Sequence, residues 1–320
     1  MDSEKLVKML QFVVDRRYDL HSLLVIRNGY AVMETYFPPF EPDTKDDLIC
    51  VSRSFVSALT GIAIEQGYIE GTDQKMLDFF SDMSLANDDP RKNDITLEHL
   101  LTNRSGLQVE EIDDEKTQIQ QILDSPMGGD PGTGAGFGYE PYILAVILQR
   151  AIGTDPLSFA REHLFEPLGI SDVSWDTDVN GVYIPTGMQM TPRDIAKLGY
   201  LYLKNGVWNG EQIVPAEWIA ASLQAYRKTS CGIGFGYQWW LYQSGAYAAR
   251  SFRSQCCVAP DADLIVVANQ EPGIGAAAIE AIVEYFIVPA AGSTEPLPEN
   301  PEAAAQLESL IEQVGKPPES

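Results

Sequence analysis

Cys50 and Arg53 are the residues whose types and spacing point most directly to chemistry. They lie at the start of an apolar stretch, from about 51 to 67, whose pattern predicts a helix that stops at Gly67. Cys50 is therefore expected at a helix N-terminus, with the fixed positive charge of Arg53 one turn away. Both features stabilise a thiolate, so the sequence predicts a nucleophilic Cys50. The alternative is a small, inert, buried thiol.

Few other residues can complete a catalytic set. The chain contains no Ser-x-x-Lys and no Gly-x-Ser-x-Gly. Its histidines, His21, His99 and His163, lie in segments typical of scaffold, so we interpret them as structural and not as part of a Ser-His-Asp triad. Arg53 keeps its proton at neutral pH and cannot act as a base. Tyr139 is the nearby residue that we predict to move a proton.

A second group of residues is suited to binding a ligand. Arginine forks bind carboxylates or phosphates, and aromatic rings stack on planar molecules. We expect these side chains, with Arg53, to line one cleft. The alternatives are that the arginines pair with local carboxylates and that the tryptophan packs inside a sheet. The candidate ligand-binding residues are Asn103, Arg104, Phe137, Trp239, Tyr247, Arg250, Phe252 and Arg253.

Composition narrows the classes of partner. The chain has 320 residues, with 22 basic and 46 acidic side chains and a net charge of −24. Such a charge argues against binding to nucleic acid or to anionic membranes. No apolar run approaches the roughly 18 residues that a membrane span needs. We expect a small-molecule ligand or substrate, no cofactor, no nucleic acid and no membrane partner; the sequence leaves the oligomeric state open.

The cysteines and the N-terminal sequence help to predict the cellular compartment of the protein. Cys50, Cys231, Cys256 and Cys257 show no metal-ligand spacing, so we expect no metal site. The adjacent residues Cys256 and Cys257 cannot easily form a disulfide with each other, which argues against a disulfide framework. The first residues lack signal-peptide character. We therefore expect a cytoplasmic setting with reduced thiols, or a chain without its leader.

The order of predicted elements indicates an α+β fold. Strand-like runs near both ends of the chain, one pair joined by Asn28-Gly29, enclose a helical middle. We predict an antiparallel sheet flanked by helices, plus a mostly helical lobe. The expected divisions are an α/β lobe from 1–67 and 229–290, a helical lobe from 68–228, and a loosely attached tail from 291–320.

Several motifs resemble those of the serine β-lactamase and penicillin-binding-protein superfamily, on its class C and esterase branch. The resemblance extends from about residue 3 to residue 300 and implies a β-lactamase/transpeptidase-like fold. In that family a Ser-x-x-Lys pair supplies the acyl nucleophile and its proton acceptor. The motifs that carry the resemblance are Ser54 to Ala63, Ser105-Gly106-Leu107, Phe165 to Gly169, Met190 to Asp194 and Gly234 to Trp240.

The chain departs from the family at the positions that carry chemistry. Cys50 and Arg53 occupy the serine and lysine positions. In the gapless register Phe137 occupies the position of the family's second-motif tyrosine; a two-residue gap assigns that position to Tyr139 instead. The glycines of the third motif are missing from Arg250-Ser251-Phe252-Arg253-Ser254-Gln255. A β-lactam substrate is therefore not expected.

Of three functions the sequence favours the first, and the other two are alternatives; they differ on whether the chain is an enzyme. The first is a diverged or redesigned pocket that binds a small aromatic or anionic molecule, with or without a non-serine reaction such as cyclisation, isomerisation or proton transfer. The second is a cysteine-dependent hydrolase or acyltransferase that acts on esters or amides through Cys50. The third is a catalytically inactive structural or interaction protein.

Overall fold

The computed structural model describes residues 1–109, 118–133, 138–229, 234–293, 295 and 297–316. The chain divides into two compact units. The first comprises Met1–Val51, Gln189–Leu203 and Tyr242–Ser320, and the second comprises Ser52–Met188 and Lys204–Leu241. These bounds differ from the divisions expected from the sequence, because units follow contacts between distant segments, which composition does not reveal.

Many of the helices begin at a capping side chain or at a proline in the first turn. At the first helix, Asp2 accepts a hydrogen bond from the backbone N–H of Glu4 at 3.1 Å. The α-helices are α1 Ser3–Asp15, α2 Ser52–Glu65, α3 Leu97–Leu101, α4 Gln118–Asp124, α5 Glu140–Ile152, α6 Pro156–Ala160, α7 Pro192–Leu203, α8 Ala216–Ser222, α9 Ala276–Ile282, α10 Val288–Ala290 and α11 Pro301–Val314.

Shorter helical turns connect several of these elements. The 3₁₀ turns are Ile49–Val51, Met76–Phe80, Pro90–Asp94 and Pro260–Ala262, and the π-helical turns are Arg161–Phe165 and Val283–Ile287. The turn Ile49–Val51 carries Cys50.

The strands confirm the predicted N-terminal hairpin. Asn28 and Gly29 join its two strands with φ values of 52° and 79°, the left-handed conformations that a two-residue hairpin turn uses. The strands are β1 Leu20–Arg27, β2 Tyr30–Tyr36, β3 Asp46–Asp47, β4 Ser174–Thr177, β5 Tyr183–Met190, β6 Val207–Trp208, β7 Glu211–Gln212, β8 Arg227–Lys228, β9 Gly234–Phe235, β10 Trp240–Leu241, β11 Tyr247–Arg250, β12 Ser254–Ala259 and β13 Leu264–Gln270.

The first unit is built on an antiparallel sheet with strand order β2-β1-β13-β12-β11. Helix α7 packs on β1, β12 and β13. On the other face, Cys257 and the apolar residues of β1 and β13 form a core with α1, α9 and α11. Because side chains alternate along a strand, the neighbouring Cys256 points to α7 instead.

The C-terminal segment is more firmly held than the sequence suggested. Helix α11 packs along α1, and Leu307 is 7% exposed within the core of the first unit. The predicted loose tail is therefore wrong for residues 301–314. Its composition, rich in alanine and glutamate, hid the apolar positions that dock it.

The second unit is mostly helical, with α5 at its centre. Helix α5 contacts α2, α3, α4 and α6, and most of its side chains are buried. Short antiparallel strands β8, β9 and β10 also belong to this unit. Within the described residues no single helix is long and apolar enough to cross a bilayer; α5 and Pro156–Phe165 pass on length and composition only as a joined pair bent by 85°.

Candidate active site

Cys50 lies in the first unit on the turn Ile49–Val51, which ends just before the first residue of α2. Its side chain is half-buried, whereas Cys256 and Cys257 are buried. The turn contacts β11 and β12. Burial raises the pKa of the Cys256 and Cys257 thiols, the second to about 12, so these two are poor nucleophiles. Among the described cysteines, Cys50 is thus the accessible thiol.

The residue before Cys50 is in a strained backbone conformation. Ile49 has φ +48°, in the left-handed region that β-branched residues rarely enter. Val51, on the other side, is fully buried and anchors the turn, and its N–H donates to the Leu48 carbonyl at 3.0 Å. Strain of this kind costs on the order of 1–3 kcal/mol and is concentrated at functional sites. Sequence reasoning missed this feature, because no local pattern signals a left-handed isoleucine.

Arg53 lies in the first turn of α2, in the second unit. Its Nε is buried and has no hydrogen-bond partner among the residues that the structure describes. The same turn is held in place by its serines: Ser54 Oγ donates to the Gln238 carbonyl at 2.7 Å, and Ser52 Oγ accepts from the Met188 N–H at 3.3 Å. The helix start is therefore fixed independently of the arginine.

A buried amide pair links this helix start to the loop after α3. Gln238 Nε2 donates to Asn103 Oδ1 and to the Leu101 carbonyl, each at 2.9 Å. Asn103 is 1% exposed, and both Asn103 and Gln238 have positive φ. Asn103 thus serves to hold the scaffold, and its predicted role in ligand binding is not supported by its burial. Sequence reasoning missed the role of Gln238, because no local pattern signals that its side chain reaches the loop after α3.

The third-motif segment forms a turn and not a continuous strand. Strand β11 ends at Arg250 and β12 begins at Ser254. Between them, Ser251 Oγ accepts from the N–H groups of Arg253 and Ser254, at 3.1 and 2.8 Å. Phe252, at the tip, is 47% exposed. This serine hydrogen bonding fixes the turn without the family's glycines.

Three of the four candidate arginines are engaged by groups of the chain itself. Arg250 pairs with Glu280, and Arg253 Nη2 lies 3.6 Å from Glu271 Oε2. Arg104 donates to Thr102 Oγ1 at 2.9 Å, to Glu98 Oε1 at 3.3 Å and to the Gly132 carbonyl at 3.3 Å. These three side chains thus pair with groups of the chain itself, and their role in binding an anionic ligand stays a prediction.

Two candidate aromatic residues are buried. Trp239 is 0% exposed and Tyr247 is 5% exposed, so neither offers a ring to a ligand at the surface. Burial, with smaller contributions from Cys256 and Tyr202, raises the pKa of Tyr247. Both residues pack the interior, as the alternative of packing had it for the tryptophan, because large aromatic side chains stabilise cores through the area that they bury. Their role as ligand walls stays a prediction that this burial does not support.

Tyr139 immediately precedes α5 and is 37% exposed. Its catalytic role remains a prediction. Phe137 and Cys231 lie outside the described residues. Among the residues described, no group of three or more His, Cys, Asp or Glu side chains has the geometry to hold a metal ion.

Comparison with known proteins gives the chain's relationships. A monacolin J acid methylbutanoyltransferase of Aspergillus terreus is 25% identical over 60% of this chain and 53% of its own length. A 6-aminohexanoate-dimer hydrolase of Paenarthrobacter ureafaciens is 25% identical over 63% of this chain and 56% of its own length. The chain therefore spans little more than half the length of these relatives.

The fold also matches solved structures. The structure of a putative 6-aminohexanoate-dimer hydrolase from Bacillus anthracis superposes with a TM-score of 0.74 at 18% identity, covering 90% of this chain and 82% of that one. The sequence profile of the Beta-lactamase family matches residues 14–284, which is most of the chain. The chain belongs to the Beta-lactamase family.

Proposed function

We propose that this chain hydrolyses or transfers acyl groups through the thiol of Cys50. The observation that carries the proposal is a half-buried thiol on a strained turn. The sequence resemblance assigns this residue to the position of the family's nucleophile. The two other described cysteines are buried in the sheet. Cys50 is thus suited to meet an acyl donor from solvent.

The reaction uses bond changes that a thiol can drive. The thiolate attacks the carbonyl carbon of an ester, the S–C bond forms, the C–O bond breaks, and the alcohol leaves with the proton that the thiol released. Water or a second alcohol then attacks the thioester and restores the thiol. With water the net reaction is hydrolysis, and with an alcohol it is acyl transfer.

A thiol makes fewer demands on its neighbours than a serine hydroxyl. Cysteine is intrinsically nucleophilic and is partly ionised near neutral pH, whereas serine needs a base to remove its proton. Arg53 cannot be that base, because a guanidinium keeps its proton at neutral pH. The replacement of both family residues is therefore consistent with thiol chemistry and inconsistent with serine chemistry.

The activities named for two relatives support the class of reaction, acyl transfer or hydrolysis. One is a methylbutanoyltransferase and the other is a hydrolase of the 6-aminohexanoate dimer. These names cover transfer to an acceptor and hydrolysis, the two outcomes of one acyl-enzyme scheme. The proposal takes from them the class of reaction, an acyl donor, and no particular substrate.

Reversible binding of a small carboxylate at Arg53 is the second candidate function. It is favoured by the buried Nε of Arg53, which has no partner within the described ranges. Pairing of Arg104, Arg250 and Arg253 with internal acceptors argues against a larger anionic site. A series of aromatic and aliphatic carboxylates that raises the melting temperature of the wild type but not of Arg53→Gln supports this candidate.

Turnover of activated esters tests the acyl-transfer proposal. Product release would be measured with water alone and with an added primary alcohol, for the wild type, Cys50→Ala and the control Cys257→Ala. We expect Cys50→Ala to fall to the uncatalysed rate and Cys257→Ala to keep its turnover. Equal turnover by the wild type and Cys50→Ala contradicts the proposal. Absence of both turnover and ligand-induced stabilisation favours an interaction protein.

A further inference from the structure

His21 lies on β1 in the first unit, and both of its ring nitrogens face carboxylates. Its Nδ1 is 2.5 Å from Asp46 Oδ1, and its Nε2 is 3.3 Å from Glu271 Oε1. The residue is 3% exposed, and the ring of Phe40 stacks on it with centroids 3.7 Å apart. From its sequence segment, His21 is predicted to be structural, and no hydrogen-bond partner could be predicted for it.

This geometry selects the protonated ring. A neutral imidazole donates from one nitrogen only, so its second nitrogen would direct a lone pair at a carboxylate oxygen. An imidazolium donates from both. Burial lowers the pKa of His21, but the hydrogen bonds and charges of Asp46 and Glu271 outweigh it, so the pKa is raised above its ordinary 6.5. Both the geometry and the direction of the pKa shift thus favour the protonated ring between Asp46 and Glu271.

The partners of His21 come from segments that lead to Cys50 and to the third-motif turn. Asp46 belongs to β3, four residues before Cys50. Glu271 follows β13, and its other oxygen lies 3.6 Å from Arg253 Nη2. A line of alternating charge, Asp46–His21–Glu271–Arg253, thus joins the approach to Cys50 with the turn after β11.

Other groups around His21 do not compete for it. Phe40, from the loop before β3, covers the ring with carbon, and the Phe37 N–H donates to the His21 carbonyl at 3.0 Å. On the neighbouring β2, Glu34 is engaged by Arg193 of α7. Among the residues that the structure describes, the charged groups that face the imidazole are Asp46 from β3 and Glu271 from the end of β13.

We propose that His21 is a positioning residue for Cys50: as an imidazolium it clamps the segment Phe37–Cys50 to β1 and β13, and loss of its proton loosens that segment. The effect of this clamp on the acylation of Cys50 rests on the proposed function. The clamp itself does not, since it follows from the contacts of Asp46 and Glu271.

Hydrogen exchange of residues 37–51 tests the clamp without any catalysis. The wild type would be compared with His21→Gln, which is neutral at every pH, and with the control His163→Gln in the second unit. A group whose pKa is higher in the folded than in the unfolded protein stabilises the fold at pH values below its unfolded pKa. This stabilisation is lost as the pH rises through its folded pKa. We expect His21→Gln to exchange severalfold faster than the wild type at about pH 6, and the two rates to converge at about pH 9.

A second readout connects the clamp to Cys50. The acylation rate of Cys50 by an activated ester should be lower in His21→Gln at about pH 6 and equal to the wild type at about pH 9, with His163→Gln unchanged throughout. A difference in exchange that is the same at every pH, or no difference, overturns the proposal. If Cys50 is not acylated in any variant, the proposed function fails while the exchange data still decide the clamp. If His21→Gln does not fold, Asp46→Asn removes one carboxylate partner of the imidazolium, and equal exchange of residues 37–51 in this variant and the wild type at about pH 6 overturns the proposal.

Discussion

A thiol at position 50 and a guanidinium at position 53 change what the neighbouring side chains must do. A serine would need a base within reach, and Arg53 cannot become one. Cys50 needs a carbonyl compound, access from solvent and a fixed turn, and its turn is anchored by buried Val51. At the scale of the residue, the substitutions are therefore consistent with each other.

The Cys50→Ser variant tests this argument. The hydroxyl is nearly the size of the thiol, so the fold should be retained, with a change in unfolding free energy within about 0.5 kcal/mol. Acyl turnover should fall about 100-fold or more, because a serine without a general base is a weak nucleophile. The measurement is turnover together with the melting curve. Full activity in Cys50→Ser would show that the thiol is not required.

The conformation of a residue was predictable from the sequence where it depends only on neighbours along the chain. The positive φ values of Asn28 and Gly29 follow from their types, and the structure has them. The burial of Trp239 and the pairing of Arg250 with Glu280 depend on distant segments, so an isolated sequence window could not reveal them. The same holds for Asp46 and Glu271 around His21.

At the scale of elements, close packing of α7 on the sheet fixes the first unit. A Cβ added at Gly199 would lie 2.6 Å from Cys256 Sγ and 3.1 Å from Ile265 Cγ2. Helix α7 begins at Pro192, because the fixed φ and missing N–H of proline suit the first turn of a helix. The contact of α7 with β12 was not predictable, because it joins elements that lie far apart in the sequence.

Gly199→Ala should destabilise the protein by about 1–3 kcal/mol, because the added methyl group overpacks the interface between α7 and β12. Adding Cys256→Ala removes the nearest clashing atom, so the double variant should lose less than the sum of the two single losses. Denaturant unfolding of the four proteins measures this coupling. Additive losses would mean that α7 is not limited by Cys256.

At the scale of the whole molecule, the acidic excess is the dominant property. A net charge of −24 produces self-repulsion that opposes the folded state. The internal arginine pairs relieve it only locally. The fold class and the N-terminal hairpin could be predicted without structure, whereas the division at residues 51 and 52 and the docking of α11 could not, because both depend on long-range contacts.

Raising the ionic strength from about 0.01 M to about 0.15 M shortens the screening length from roughly 30 Å to roughly 8 Å. We therefore expect the melting temperature to rise with sodium chloride over this range. A neutral osmolyte at equal osmolality serves as the control. A melting temperature that falls with salt would indicate that attractive ion pairs outweigh the repulsion.

Intact-mass spectrometry during the first turnover of an activated ester tests the central claim most directly. The account predicts one acyl adduct per chain, mapped to Cys50, formed faster at neutral pH than on denatured protein and absent from Cys50→Ala. An adduct that forms only after denaturation, or that maps to another residue in the native protein, would contradict a nucleophilic Cys50.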